Sequence, residues 1–234
     1  TMKLHYAFLS ILFLSISATS FSQKIKEINV DNFNQVKFEG SAQWFIIPSN
    51  NERVVIESKS EEVFDYIDVY KEGQQLIVST TEKSKNITKL FRSVTIKVYV
   101  SSLNAAFLSG VGSVKMEEKL SSETFTATLR GTGNMHLNLE CDSFGGHVYG
   151  TGGLNIIGSA KSLVVTVEGV GSFNGYEFEA LDVDATVSGV GGAKVYASQT
   201  LTATINGVGS IRYKGDPVNK NFSSNGVGTI KKAN

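Results

Sequence analysis

Seven side chains that donate hydrogen bonds or carry positive charge recur at one spacing: Lys115, His136, Asn155, Asn174, Lys194, Arg212 and Lys231. Each lies five residues after the first glycine of a Gly-x-Gly tripeptide. Those first glycines are Gly110, Gly131, Gly150, Gly169, Gly189, Gly207 and Gly226, spaced 18 to 21 residues apart. Two residues before each member of the row sits a small or polar residue: Ser113, Asn134, Gly153, Ser172, Gly192, Ser210 and Thr229. Brought into line, the row would be a polar stripe with basic ends and an asparagine middle. Its chemistry is non-covalent, because ammonium, guanidinium and amide donors suit an anionic glycan or lipopolysaccharide. The plainer reading is a solvated edge with an asparagine hydrogen-bond ladder. Both stand on sequence alone.

Catalytic groups are sparse by comparison. A glycosidase generally needs two carboxylates about 5–10 Å apart. Asp182 and Asp184 share an outward face while Glu168 falls at another phase, so each is expected to be a solvated acid. His136, Cys141 and Asp142 are close in sequence, but position 136 faces outward and Cys141 is expected in a loop. As the lone cysteine, Cys141 forms no internal disulfide and reads as a structural thiol. Phosphate binding by Gly-x-Gly needs a helix opening at the glycines, and here a strand follows. Calcium-binding β-rolls need an Asp that recurs beside the glycines, and none does. Thr126/Thr128 and Thr202/Thr204 suit an ice-binding ladder, but Gly145/His147, Val164/Thr166 and Asp184/Thr186 break it. No catalytic residue, metal or cofactor is expected. A polysaccharide lyase or glycosidase is the residual enzymatic reading.

The elements that must position the row follow from the same repeat. A period near 20 residues marks a solenoid, in which each unit buries its apolar side against its neighbours. Two residues before the first glycines come Leu108, Leu129, Val148, Val167, Val187, Ile205 and Ser224; four before come Ala106, Ala127, Gly146, Val165, Ala185, Ala203 and Phe222. Polar residues alternate with them, which is the period of a half-buried strand. The Val or Thr between the glycines breaks the inward phase, so the chain turns a corner there, and glycine, Gly169 and Gly207 included, is expected because it takes positive φ without a Cβ clash. Inward phase resumes at Val114, Met135, Leu154, Phe173, Ala193, Ile211 and Ile230, then again at Met116, Leu137, Ile156, Val195 and Tyr213. Strand, glycine corner, strand and loop make one coil of a parallel β-helix. The last repeat, with Ser224 and Lys232 at otherwise apolar positions, reads as a cap.

Residues 1–22 read as a signal peptide: Lys3 precedes an apolar run from Tyr6 to Ile16, with cleavage expected after Ser22. The run is short for a membrane span, and no cysteine follows it to carry a lipid. The remaining chain of roughly 210 residues is long enough for a substantial core. The net charge of zero over the whole sequence gives no electrostatic case for nucleic acid. Across 23–100, Val36–Gly40 and Ala42–Ile47 read as strands broken at a degenerate corner, Gly40-Ser41. Val54–Ile56 continues as strand, Ser60 to Phe64 as a capped helical turn, and Ile67–Tyr70 with Gln75–Val78 as a hairpin. The basic stretch 81–93 reads as an exposed loop, and Val94–Val100 as the strand leading into the repeats.

An export signal, the segment Phe38-Glu39-Gly40-Ser41, and serial rungs such as Ser109-Gly110-Val111-Gly112-Ser113-Val114 and Ser188-Gly189-Val190-Gly191-Gly192-Ala193 resemble the head GIN domain family. That family is labelled as auto-transporter adhesins and is common in Bacteroidetes. The resemblance spans about residues 28–231 and implies a right-handed parallel β-helix in an exported protein. No outer-membrane barrel follows the rungs, so a self-sufficient autotransporter is not expected. The expectation is all-β: a signal peptide over 1–22, an irregular β-rich part over 23–100, and a Gly-x-Gly β-helix over 101–234 sharing its core. Function is expected to be non-catalytic binding at the bacterial envelope, periplasm or cell surface, as an adhesin or glycan-recognition module. A structural scaffold that self-associates or docks another envelope protein is the alternative. Neither nucleic acid nor a transmembrane span in the mature chain is expected.

Overall fold

Apolar residues on every second position commit the repeats to strands with one buried side, and the common period stacks them. A computed structural model describes residues 23–80 and 94–233. The expected signal segment and the basic loop over 81–93 lie outside the described residues. Parallel coils of about 20 residues form a β-solenoid of about 6 turns. Its body is β2 (Gln35–Pro48), β7 (Ala105–Lys115), β8 (Leu120–Val148), β9 (Gly153–Gly169), β10 (Ser172–Gly189), β11 (Gly192–Ile205), β12 (Ser210–Lys214) and β14 (Thr229–Lys232), hydrogen-bonded in that order. β13 (Asn219–Ser224) pairs in parallel with β11, so β13 and β14 together form the last rung.

The irregular part joins this stack through β2. The hairpin of β4 (Ile67–Glu72) and β5 (Gln75–Thr80) lays β5 parallel along Gln35–Glu39. β6 (Thr95–Val100) lies parallel along Gln43–Pro48. β5 and β6 thus act as two halves of one rung. β3 (Arg53–Ser58) then pairs antiparallel with β6, and β1 (Lys24–Asn29) antiparallel with β3. The helical turn expected at Ser60 is a 3-10 turn over Glu61–Tyr66, and Ser60 makes no side-chain cap. Gly40-Ser41 is a corner within the continuous β2: Gly40 has φ +93 and pairs with Gly110.

One apolar cluster runs from Phe33 to Tyr213. Val148, Val167, Val187 and Ile205 are fully buried in it, as are Ala127, Val165, Ala185 and Ala203. Phe144 bridges rungs, its ring 6.3 Å from Phe125, 6.5 Å from Phe173 and 5.4 Å from Phe178. At the last rung Phe222 is 44% exposed and Ser224 open to solvent, consistent with a terminal unit that lacks a covering neighbour among the described residues.

Positive φ does not explain all the corner glycines. Gly169 has φ +102, but Gly207 lies outside the positive-φ set. What Gly207 requires is room, because a Cβ there would lie 2.5 Å from the Gly189 carbonyl oxygen one rung away. The same collision, at 2.2–2.4 Å, would arise at Gly110, Gly131, Gly150, Gly189 and Gly226. Glycine stacks on glycine so that adjacent backbones can close at the corner. The intervening valines point outward: Val111, Val170, Val190, Val208 and Val227 are 56–78% exposed.

Candidate functional site

Strand register decides whether the row of donors is a row in space. It is one. Lys115 pairs with His136, His136 with Asn155, Asn155 with Asn174, Asn174 with Lys194, Lys194 with Arg212 and Arg212 with Lys231. Phe45 continues the line beyond Lys115, whose Nζ lies 5.9 Å from the Phe45 ring. At about 4.8 Å per rung, the seven members span roughly 29 Å. The basic residues and His136 are exposed and the two asparagines half-buried. Asn174 Nδ2 donates to Asn155 Oδ1 at 3.4 Å, a weak version of the asparagine ladder. Asn174 Oδ1 is buried with no partner among the described residues.

The cations at the end of the row are unpaired. Six lysines off the row meet acids among the described residues, as Lys97 meets Glu57 at 2.5 Å and Lys161 meets Asp142 at 2.8 Å, whereas others such as Lys214 do not. Among the described residues, none of Lys115, Lys194, Arg212 and Lys231 has a carboxylate within salt-bridge distance. A row of like charges without counterions raises the local potential and attracts anions.

Beside the middle of the row lies a groove of about 490 Å³. His136, Asn155, Asn174 and Lys194 line it, and so do polar residues that the spacing did not single out: Glu117, Tyr176, Glu177 and Lys214. The Tyr176 ring centroid is 5.5 Å from Lys194 Nζ and 4.9 Å from Lys214 Nζ, within reach of cation–π attraction. Burial pushes the Tyr176 phenol above its ordinary pKa, with Arg212 opposing. A sequence signal for Tyr176 did exist. The second inward position is apolar at Met116, Leu137, Ile156, Val195 and Tyr213, but the intervening rung carries Gly175 there.

The other candidates stay apart. Cys141 is not in a loop: it lies inside β8, 8% exposed, paired with Ala160, because the rung's alternation continues through it. Burial raises its thiol pKa from 9.0 to about 11, with Asp142 adding to the shift. The neutral thiol is therefore favoured by folding, a contribution complete below pH 9 and lost as pH rises through 11. At pH 8 the thiolate should be about 100-fold scarcer than in a free thiol of that reference value. Iodoacetamide should accordingly alkylate the native chain more slowly than the urea-unfolded chain, by about one to two orders of magnitude; equal rates would contradict the burial. Asp182 and Asp184 are exposed opposite Thr200 and Thr202. No cluster of three metal-ligating side chains occurs among the described residues. Arg130, His147 and Tyr149 form a separate cluster, with the guanidinium 4.5 Å from the Tyr149 ring and burial lowering the His147 pKa.

The architecture has solved counterparts. A "putative adhesin" from Bacteroides fragilis NCTC 9343 superposes with TM-score 0.85 at 26% identity, covering 91% of this chain and 97% of its own. From Parabacteroides distasonis ATCC 8503, a "putative adhesin" (TM-score 0.70, 21% identity) and a "putative lipid binding protein" (TM-score 0.69, 22% identity) share the fold. Each of those two covers 91% of this chain and 97% of its own. No curated protein matches the chain. Residues 32–217 match the family described as "Putative auto-transporter adhesin, head GIN domain". That match runs across the stack from β2 to β12, and the chain therefore belongs to the head GIN domain family.

Proposed function

We propose that this protein is an exported, non-catalytic, adhesin-like binding protein whose polar row docks an anionic glycan of the envelope or its surroundings. The single observation that carries this reading is the in-register line of Lys194, Arg212 and Lys231 without acidic partners among the described residues. A solubilising edge is ordinarily mixed in sign, whereas this one is cationic over three consecutive rungs. Family membership and the adhesin names of its structural neighbours support binding as the general activity. Export rests on the apolar segment at 6–16; no helix among the described residues is long and apolar enough to cross a membrane.

A polymer with charges along its length would lie down the row and relieve its self-repulsion. Exposed charges are screened over about 8 Å at physiological ionic strength, so binding should weaken with salt. The variant carrying Lys194→Ser, Arg212→Ser and Lys231→Ser should lose binding to an acidic polysaccharide while its melting temperature stays nearly unchanged, since all three side chains are exposed. Calorimetric titration with polygalacturonate, followed by a thermal melt, reads both quantities. Full-strength binding by the triple variant would reduce the row to a solvated edge.

A further inference from the structure

The groove owes its shape to a departure from the repeat in β10. Asn174 pairs with Asn155 and Glu177 with Ile157, so Gly175 and Tyr176 together face the single residue Ile156. Against β11 the slip is larger, with Asn174 opposite Lys194 and Glu179 opposite Tyr196. Such bulges re-aim side chains, often beside functional sites. Gly175 occupies the inward position, but a Cβ there would lie 2.8 Å from Phe173 Cε1 and 3.5 Å from Ile156 Cγ2. Phe173 thus fills the space that an apolar side chain fills on neighbouring rungs. The chain spends its extra length turning Tyr176 outward over the groove.

Three chemistries then meet in one place. Tyr176 offers a rigid amphipathic face, which orders at low entropy cost. Lys194 and Lys214 hold two ammonium groups around that ring, neither with a carboxylate partner among the described residues. The asparagines and the acids Glu117 and Glu177 supply hydroxyl-binding groups, Asn174 Oδ1 being buried without a partner. Those acids also oppose a densely charged sulfate or phosphate polymer. A volume of about 490 Å³ falls within the range of about 300–1,000 Å³ typical of small-ligand clefts.

We propose that this groove is a subsite for one carboxylated sugar ring: the ring lies on Tyr176, its carboxylate between Lys194 and Lys214, and its hydroxyls on Asn155, Asn174 and the flanking acids. The proposal rests on the glycan reading of the row and specifies what that row grips at its middle.

The test uses the full mature chain, with oligogalacturonate, its methyl ester and dextran sulfate as probes. Tyr176→Ala and Lys214→Ser should each weaken oligogalacturonate binding about 10-fold or more, the first by removing the ring's stacking face and the second by removing a charge-assisted contact. Dextran sulfate binding, carried by Arg212 and Lys231, should change less than about 2-fold, and the methyl ester should bind at least about 10-fold more weakly than the acid. Unchanged oligogalacturonate binding in both variants, with loss only in the Lys194, Arg212 and Lys231 triple variant, overturns the subsite and leaves the row standing. Equal binding of acid and ester also overturns it. No oligogalacturonate binding by the unaltered chain overturns the subsite as well. If no variant, the triple included, affects any probe, both readings fall.

Discussion

Val167→Asp should yield no soluble folded protein. Val167 has no exposed surface and stacks between Val148 and Val187 on the adjoining rungs. A carboxylate there has no partner and no water, and the effective penalty is several kcal/mol even after relaxation. Set against the roughly 5–15 kcal/mol that holds a typical domain together, that is a disabling loss. Stability in stacked repeats passes between neighbours, so a central defect separates the stack into two shorter pieces. Ile205→Asp, equally buried, should behave alike. Val170→Asp is the control, because its side chain is 62% exposed at the corner only three residues away. Soluble yield, size exclusion and circular dichroism read the difference. A Val167→Asp chain that melts cooperatively at the temperature of the unaltered protein would sink the account of the core.

Gly207→Ala should cost on the order of 2 kcal/mol, as overpacking does. Its Cβ would lie 2.5 Å from the Gly189 carbonyl oxygen and 2.8 Å from the Gly189 nitrogen. These are backbone atoms locked in the ladder, where Val208 N donates to Gly189 O at 2.8 Å. Relief requires moving two rungs apart. Gly226→Ala presents a similar clash, 2.2 Å from the Gly207 oxygen, but it sits on the exposed last rung, which can lift away. Its loss should be smaller. Gly73→Ala provides a different reference: nothing lies within 4 Å of its Cβ, and only φ +62 resists the change, at about 1 kcal/mol. Urea titrations of the three variants should rank Gly207 above Gly226. Equal, negligible losses would contradict the stacking argument.

In a solenoid the sequence period is also the stacking vector, so local counting yields long-range contacts. That is why Lys115 through Lys231 could be placed on one line from spacing alone, and why Leu108, Leu129 and Val148 could be assigned inward. Each position needs only its distance from a glycine, and each rung is held by the one before it. The corners at the Gly-x-Gly tripeptides were legible for the same reason. Their physical cause was not, because the approach of Gly207 to the Gly189 oxygen depends on how closely two backbones stack.

The tertiary structure decided whatever lacks a period. β5 and β6 complete a rung beneath β2 from segments separated in sequence, and β3 and β1 extend the sheet antiparallel. Alternation marks such strands but does not choose their partners. Cys141 reads as loop when the rung is assumed to end before it, yet the alternation carries it into the core. The groove shows the limit most clearly. Tyr176 meets Lys194 from the next rung and Lys214 from the rung after that, through a slip in register that repeats nowhere else along the row. Repetition determined the rungs and the row; the exception to it, settled only by packing around Phe173, determined the cleft.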